Sequence, residues 1–401
     1  MLNSTPGRIN RPKRAIFAIA ILVLIPSISY GLLFASTGFL QLSRALVWRD
    51  ADVGDINRFP ARVIKASIPS KFATVLDEKT TQAFGLLDMS HIGFPGLIIN
   101  SKEALGSFLT SSDTTAFLVV RKGVLVHEWY GEGIKRETLQ TSFSVSKSFL
   151  STLIGIAIHD GSIGSLDDPI TEYIPELLKK DPRFGAVTLK HLITMTSGLA
   201  YIDKKTPFSD AADTYYSPNL RSTALSAVIT EPPGKTFLYN NYNPLLVGMA
   251  LERATGQKVA DYMSKVLWAP LGAESDASWS LDSTFSGFEK MESGLNARAI
   301  DFARFGTMFS HGGVVDGRQV VPEKWISEAT AMDTTSDPSE NYQYFWWTYQ
   351  NNQFAAQGNK GQYILVAPEQ DTVIVRLGRK ETFFWPTLMM DLTHALEITT
   401  R

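Results

Sequence analysis

The sequence predicts an α+β fold: an antiparallel sheet built from N- and C-terminal strands, flanked by helices and carrying a helical subdomain, preceded by an N-terminal transmembrane helix. Three observations lead there. β-rich runs lie at Thr115–Arg121 and Val124–Tyr130, the middle third is patterned for helices, and alternating aromatic and β-branched runs return near the C-terminus. At 401 residues, 44% hydrophobic and 11% aromatic, the chain can bury a large core. We divide it into a basic segment (1–14), an apolar segment (15–37), a lead-in (38–110) and a main domain (111–401).

Arg8, Arg11, Lys13 and Arg14 precede an apolar run from Ala15 to Ser36. About 20 apolar residues span a bilayer as a helix, and a basic flank stays on the cytoplasmic side. A retained single-pass anchor is therefore expected, with the rest of the chain extracytoplasmic, periplasmic or extracellular. The competing reading is a cleaved signal peptide, with apolar region Ala15–Ile25 and a small-residue site at Ser29-Tyr30-Gly31. Both readings export the remainder.

In the lead-in, Asp50, Asp52 and Asp55 sit beside Arg49 and Arg58, and Pro60 and Pro69 follow, which suggests an irregular wrap. Lys122-Gly123 splits two β runs and reads as a hairpin turn. A helix opens near Ser144 with Phe149, Leu150, Leu153, Ile154, Ala157 and Ile158 apolar almost all round, the mark of a buried central helix. Gly161 ends it, and Leu166-Asp167-Asp168-Pro169 opens a turn and a short helix. Further helices are expected at Thr188–Ser197, Thr223–Thr230, Asn243–Thr255 with Gly256 as its stop, Val259–Leu267 and Asn296–Phe309. Strands are expected at Tyr344–Tyr349, Phe354–Gln357, Tyr363–Ala367 and Thr372–Leu377, in an antiparallel meander closed by a helix over Thr382–Thr399.

A net charge of −2 gives no electrostatic footprint for nucleic acid. The absence of cysteine excludes disulfides, thiol nucleophiles and thiolate metal sites. No His, Asp or Glu cluster has metal-ligand spacing, so neither a metal nor another cofactor is expected. His127 on a strand and His191 at a helix start read as packing and capping residues.

The chemistry centres on Ser144-Val145-Ser146-Lys147. Residues three apart are neighbours on a helix, so this spacing puts a hydroxyl beside an amine. An adjacent amine can activate an otherwise poor serine nucleophile, and the helix N-terminus favours the developing negative charge. Ser-x-x-Lys alone is a short pattern that arises by chance. It gains weight from the long apolar helix it opens, from Tyr239-Asn240-Asn241 about 90 residues on, and from Ala356-Gln357-Gly358-Asn359-Lys360-Gly361-Gln362 between two strands.

Over about residues 110–400 the chain resembles the serine β-lactamase and penicillin-binding protein superfamily. It is most similar to the class C lactamase-like branch of esterases and aminohexanoate-oligomer hydrolases. Phe143–Ser148 resembles the first motif, Leu192–Leu199 the branch's helix end, Pro233-Gly234 through Tyr239-x-Asn241 the second motif, and Gly294–Gly306 the stretch before the final strands. The resemblance implies a β-lactamase/transpeptidase-like fold and acyl transfer to Ser144. Lys147 and Tyr239 would share a proton network in which one or the other serves as base. Asn241 would hold the substrate carbonyl or amide and help orient Lys147. The backbone N–H groups of Ser144 and of the residue after the third motif's glycine would form the oxyanion hole. That places Gly358 and Asn359 in the site, while another register uses Lys360-Gly361.

The chain departs from the family at the third motif. True β-lactamases and transpeptidases carry Lys-Thr-Gly there, and this chain has Ala356-Gln357-Gly358. Losing that cation weakens capture of a free carboxylate by about 1–3 kcal/mol. The expected substrate is accordingly a small-molecule ester, amide or peptide without a matching carboxylate, unless Lys360 supplies the charge. A D-alanyl-D-alanine carboxypeptidase or β-lactamase is the alternative within the fold, and a non-catalytic envelope binding protein the alternative outside catalysis. A second Tyr-x-Asn, Tyr349-Gln350-Asn351, sits late in the sheet with no helix after it, the wrong setting for the base.

Overall fold

The structure is a computed structural model, described here for residues 38–204, 206–332 and 341–399. The N-terminal basic and apolar segments lie outside the described residues. Among the described residues no helix is long and apolar enough to cross a membrane.

An eight-stranded sheet forms the centre. Its order is Tyr342–Gln343, Trp346–Thr348, Phe354–Gly358, Gln362–Ala367, Thr372–Gly378, Thr114–Arg121, Val124–Tyr130 and Ala73–Thr74. The expected union of N- and C-terminal strands is made by Thr114–Arg121 against Thr372–Gly378, antiparallel, with Val119 opposite Ile374. Lys122 and Gly123 turn the hairpin in the left-handed region at φ 50° and 70°. Successive side chains alternate between the two faces of the sheet. Leu118, Val120, Ile364, Val366 and Val375 join one core, with Phe149 and Phe305 from the helices Ser146–His159 and Ala299–Ser310. Phe117, Val119, Leu365 and Ile374 face the other core, under the helices Lys102–Ser111 and Trp385–Ile398.

A second sheet was not foreseen. It orders Ala61–Ile64, Ala277–Ser280, Leu295–Ala297 and Gln140–Thr141. The lead-in is thus more regular than its prolines suggest: Ile64 pairs with Ala277 and is fully buried, and helices form at Lys79–Gly85 and Lys102–Ser111. The helix expected over Asn296–Phe309 divides into the strand Leu295–Ala297 and the helix Ala299–Ser310. Its first residues go to the strand because Asn296 donates to the Ser278 and Ser280 hydroxyls across the sheet. The expected Thr188–Ser197 helix shrinks to Leu189–Ile193, since Met195 and Gly198 take left-handed φ of 59° and 73°. At Gly198 a Cβ would lie 2.2 Å from the Glu231 carbonyl, so the chain can turn there only as glycine. Tyr344 and Phe345, at φ 40° and 65°, break the strand expected over Tyr344–Tyr349.

Candidate active site

Ser144 sits in a single 3₁₀ turn, Phe143–Val145, that runs straight into the buried helix Ser146–His159. The turn is held under constraint. Phe143 takes a left-handed φ of 47° although it is a bulky, buried residue, a conformation that persists only when its surroundings impose it. Those surroundings are visible: Ser146 Oγ donates to the Phe143 carbonyl at 2.7 Å and accepts from Leu295 N–H at 3.1 Å. Ser142 N–H donates to the Leu295 carbonyl at 2.9 Å. Leu295 of the second sheet therefore ties the nucleophile turn at both of its ends.

Lys147, only 1% exposed, follows one helical turn later. Its Nζ donates to Ser144 Oγ at 2.9 Å and to the Glu292 carbonyl at 2.8 Å, and lies 5.0 Å from the centre of the Tyr239 ring. Tyr239 stands just ahead of the helix Tyr242–Thr255. Its ring stacks on Trp347 at 6.0 Å and meets Tyr342 edge-on at 5.9 Å. The three residues expected to carry the chemistry are brought together.

Glu292 carries no motif that sequence reasoning could find. Its backbone carbonyl, the second partner of Lys147, is fixed by a buried ion pair: Glu292 Oε1 accepts from Lys290 Nζ at 2.8 Å and from Ser293 Oγ at 2.7 Å. Asn241 makes no hydrogen bond to Lys147. Its amide donates to Tyr201 Oη at 3.0 Å and Thr214 Oγ1 at 3.4 Å, so the orienting part expected of Asn241 falls to the Glu292 carbonyl. Burial pushes the Tyr201 phenol up, so it stays protonated and free to accept from Asn241.

The third segment ends the strand Phe354–Gly358. A Cβ on Gly358 would stand 2.3 Å from the Ser142 carbonyl and 3.1 Å from Ser144 N, so the strand edge reaches the nucleophile only because that position is glycine. Asn359 follows at the start of the turn, its Oδ1 accepting from Lys360 N–H at 2.9 Å. Gly361 lies elsewhere. At φ 78° it packs on Arg376, whose Nη1 is 2.1 Å from where its Cβ would be, so the Lys360-Gly361 register is not the one that meets Ser144.

Arg376 is a second residue no motif announces. Fully buried, it donates to the carbonyls of Lys360 (2.9 Å), Gly361 (2.6 Å), Ser112 (2.8 Å) and Lys380 (3.0 Å), tying the turn to the sheet. Burial lowers its guanidinium to about 10, which leaves it charged at neutral pH. Ala356 is fully buried one alternation before Gly358, on the face where a Lys-Thr-Gly lysine would stand. Gln357 donates to Tyr349 Oη, which gives the second Tyr-x-Asn tyrosine a partner in the sheet. His191 caps its helix with Thr188, and His127 lies half-buried and edge-on to Phe117, its imidazole pushed down to about 4 by desolvation.

A cleft of about 610 Å³ opens beside these groups, with Asn241 and Asn359 among its lining. Its other walls include Leu46 and Arg49 from the segment before the second sheet, and Asp203 and Tyr216 from the Thr206–Ser217 region and its approach. The segment Thr206–Ser217 thus forms a large part of the wall.

Comparison with known proteins gives the family. The beta-lactamase family model matches residues 110–387. The chain is 29% identical over 325 residues to 6-aminohexanoate-dimer hydrolase of Paenarthrobacter ureafaciens, covering 72% of this chain and 80% of that protein. It is 31% identical over 155 residues to esterase EstB of Burkholderia gladioli, covering 35% and 39%. A Bacillus anthracis structure provisionally named a 6-aminohexanoate-dimer hydrolase superposes with a TM-score of 0.74 at 24% identity, over 85% of this chain and 92% of that one. A family VIII carboxylesterase shares the fold at a TM-score of 0.58 and 15% identity, over 82% and 100%. With the matched region spanning the Ser144 turn, the Tyr239 segment and the Gly358 strand, the chain belongs to the beta-lactamase family.

Proposed function

We propose that this hydrolase cleaves an ester or amide through an acyl-enzyme on Ser144, in an exported, membrane-anchored protein. The observation that carries the chemistry is the 2.9 Å contact from Lys147 Nζ to Ser144 Oγ, with Gly358 packed against Ser144 N. Ser144 Oγ attacks the carbonyl carbon while its proton passes into the Lys147–Tyr239 pair. The carbonyl oxygen takes up the electron pair facing the N–H groups of Ser144 and Asn359. Collapse breaks the C–O or C–N bond and the pair returns the proton to the leaving group. Water then repeats the sequence and frees the acid. The nearness of the Tyr239 ring, 5.0 Å from Lys147 Nζ at its centre, supports giving Tyr239 a share in the proton transfer.

The relatives named as an aminohexanoate-dimer hydrolase and an esterase support ester or amide substrates. The missing third-motif cation, its place taken by the buried Ala356, favours those without a carboxylate at the matching position. Export rests on the basic flank Arg8–Arg14 and the apolar run Ala15–Ser36. Fluorophosphonate should label the full chain and not Ser144→Ala, while fluorescent penicillin should label neither. Penicillin labelling of the wild type would favour the β-lactamase or carboxypeptidase reading. For topology, N-terminal sequencing of membrane-fraction protein should begin near Met1. A start near Thr37 would remove the anchor.

A further inference from the structure

The helix over 38–48 is two-faced. Its inner side is polar or packed: Gln41 donates to Asp213, and Arg44 Nη1 donates to the Tyr216 and Asp282 carbonyls at 3.1 and 2.9 Å. Trp48 meets Phe59 edge-on at 5.2 Å. Its outer side is apolar and bare. Phe39 and Val47 are 75% and 74% exposed, and Leu40 and Leu46 are exposed with them. At about 100° per residue these four fall within one arc of roughly 120°, interrupted only by Ser43, whose hydroxyl donates to the Leu40 carbonyl of the same helix.

Two further observations say what covers it. The stripe borders the cleft that opens beside the candidate site, because Ala45, Leu46 and Arg49 line it together with Thr206, Pro207 and the site residues Asn241 and Asn359. Beside that far wall, whose lining includes Asp203 and Lys204, the apolar Phe208 is 80% exposed and Ile202 is exposed too. Moreover, the sequence before this segment is the apolar run 15–36 with its basic flank. An outward apolar helix face beside a polar inner face is the pattern of an interfacial helix. We propose that this face rests on a lipid bilayer, with the cleft mouth at the interface, and that the site draws amphiphilic ester or amide substrates from the membrane. The binding claim is independent of the hydrolase reading above, and the substrate claim rests on it.

The chain has no cysteine, so Val47→Cys carries a single environment-sensitive label. In the full chain in phosphatidylcholine vesicles, nitroxide-bearing lipids should quench a label at Val47→Cys. A label at Lys324→Cys, 85% exposed by its side chain on a different helix, should remain bright. Equal quenching at both positions, or none at either, overturns the proposal. So does a label at position 47 that becomes shielded with protein concentration in the absence of lipid, which would assign the stripe to a second copy. For the substrate claim, Phe39→Glu with Val47→Glu should lower hydrolysis of a vesicle-borne long-chain 4-nitrophenyl ester by about tenfold or more, the scale of withdrawing two apolar anchors. Hydrolysis of soluble 4-nitrophenyl butyrate and fluorophosphonate labelling should stay unchanged. A parallel loss on both esters, or on neither, overturns interfacial supply. Absence of fluorophosphonate labelling in the wild type would instead sink the hydrolase reading and leave the quenching result standing.

Discussion

At Ser144 the fold sets two short contacts against each other: an amine at 2.9 Å on one side and a glycine strand edge on the other. Each predicts a distinct failure. Lys147→Ala should cut turnover nearly as far as Ser144→Ala, because members of a nucleophile–base unit are strongly non-additive. Tyr239→Phe keeps the ring on Trp347 and should cost about 10²–10⁴ in kcat, the usual worth of a positioned acid–base group. Gly358→Ala should disable the site without touching a reacting group, since its Cβ has only 2.3 Å to the Ser142 carbonyl. Circular dichroism would report an intact fold in that variant while labelling of Ser144 is lost. A fully active Gly358→Ala enzyme would show that the strand does not seat the nucleophile.

Among the elements, the helix Ala299–Ser310 carries a titration that the reaction does not use. Asp301, buried in its first turn, accepts from Glu274 N–H at 2.6 Å, and burial raises its carboxyl to about 7. The sign follows from proton counting. Between about 4 and about 7 the folded chain keeps a proton that the unfolded chain has released, so this group's contribution to stability falls as pH rises. Asp301→Asn should therefore flatten the decline in Tm across that window, read by thermal melts at a series of pH values. An unchanged profile would show that the carboxyl is already ionised in the folded state. On the strand Phe354–Gly358, Ala356→Lys should improve binding of carboxylate-bearing esters while leaving uncharged esters nearly as fast, measured as a KM ratio.

For the whole molecule, the lead-in counts as structure rather than wrapping. Ile64 pairs with Ala277, is fully buried and joins the main core. Ile64→Ala should cost about 2–5 kcal/mol in denaturant unfolding, the range for emptying a core aliphatic site. The second sheet links that strand to Leu295–Ala297, whose first residue accepts from Ser142 N–H. Part of the stability loss should therefore surface as slower labelling of Ser144 at temperatures well below Tm. A variant that melts early but labels at the normal rate would separate the lead-in from the site.

Much of this protein was legible in local sequence. The hairpin at Lys122-Gly123, the central helix after Ser144 and the C-terminal meander follow from period and turn chemistry, which act over a few residues. Ser144 and Lys147 were legible for the same reason, since three-residue spacing on a helix is a local fact. What local signals cannot carry is partner choice across long separations. Only the tertiary structure set Lys147 on the Glu292 carbonyl, turned Asn241 toward Tyr201, and chose Gly358 over Gly361 as the glycine against Ser144. Asn296 reads as the start of a helix until Ser278 and Ser280 offer it hydrogen bonds across a sheet. In each case the deciding energy is a contact between residues far apart in sequence, and it exists only after the chain has closed.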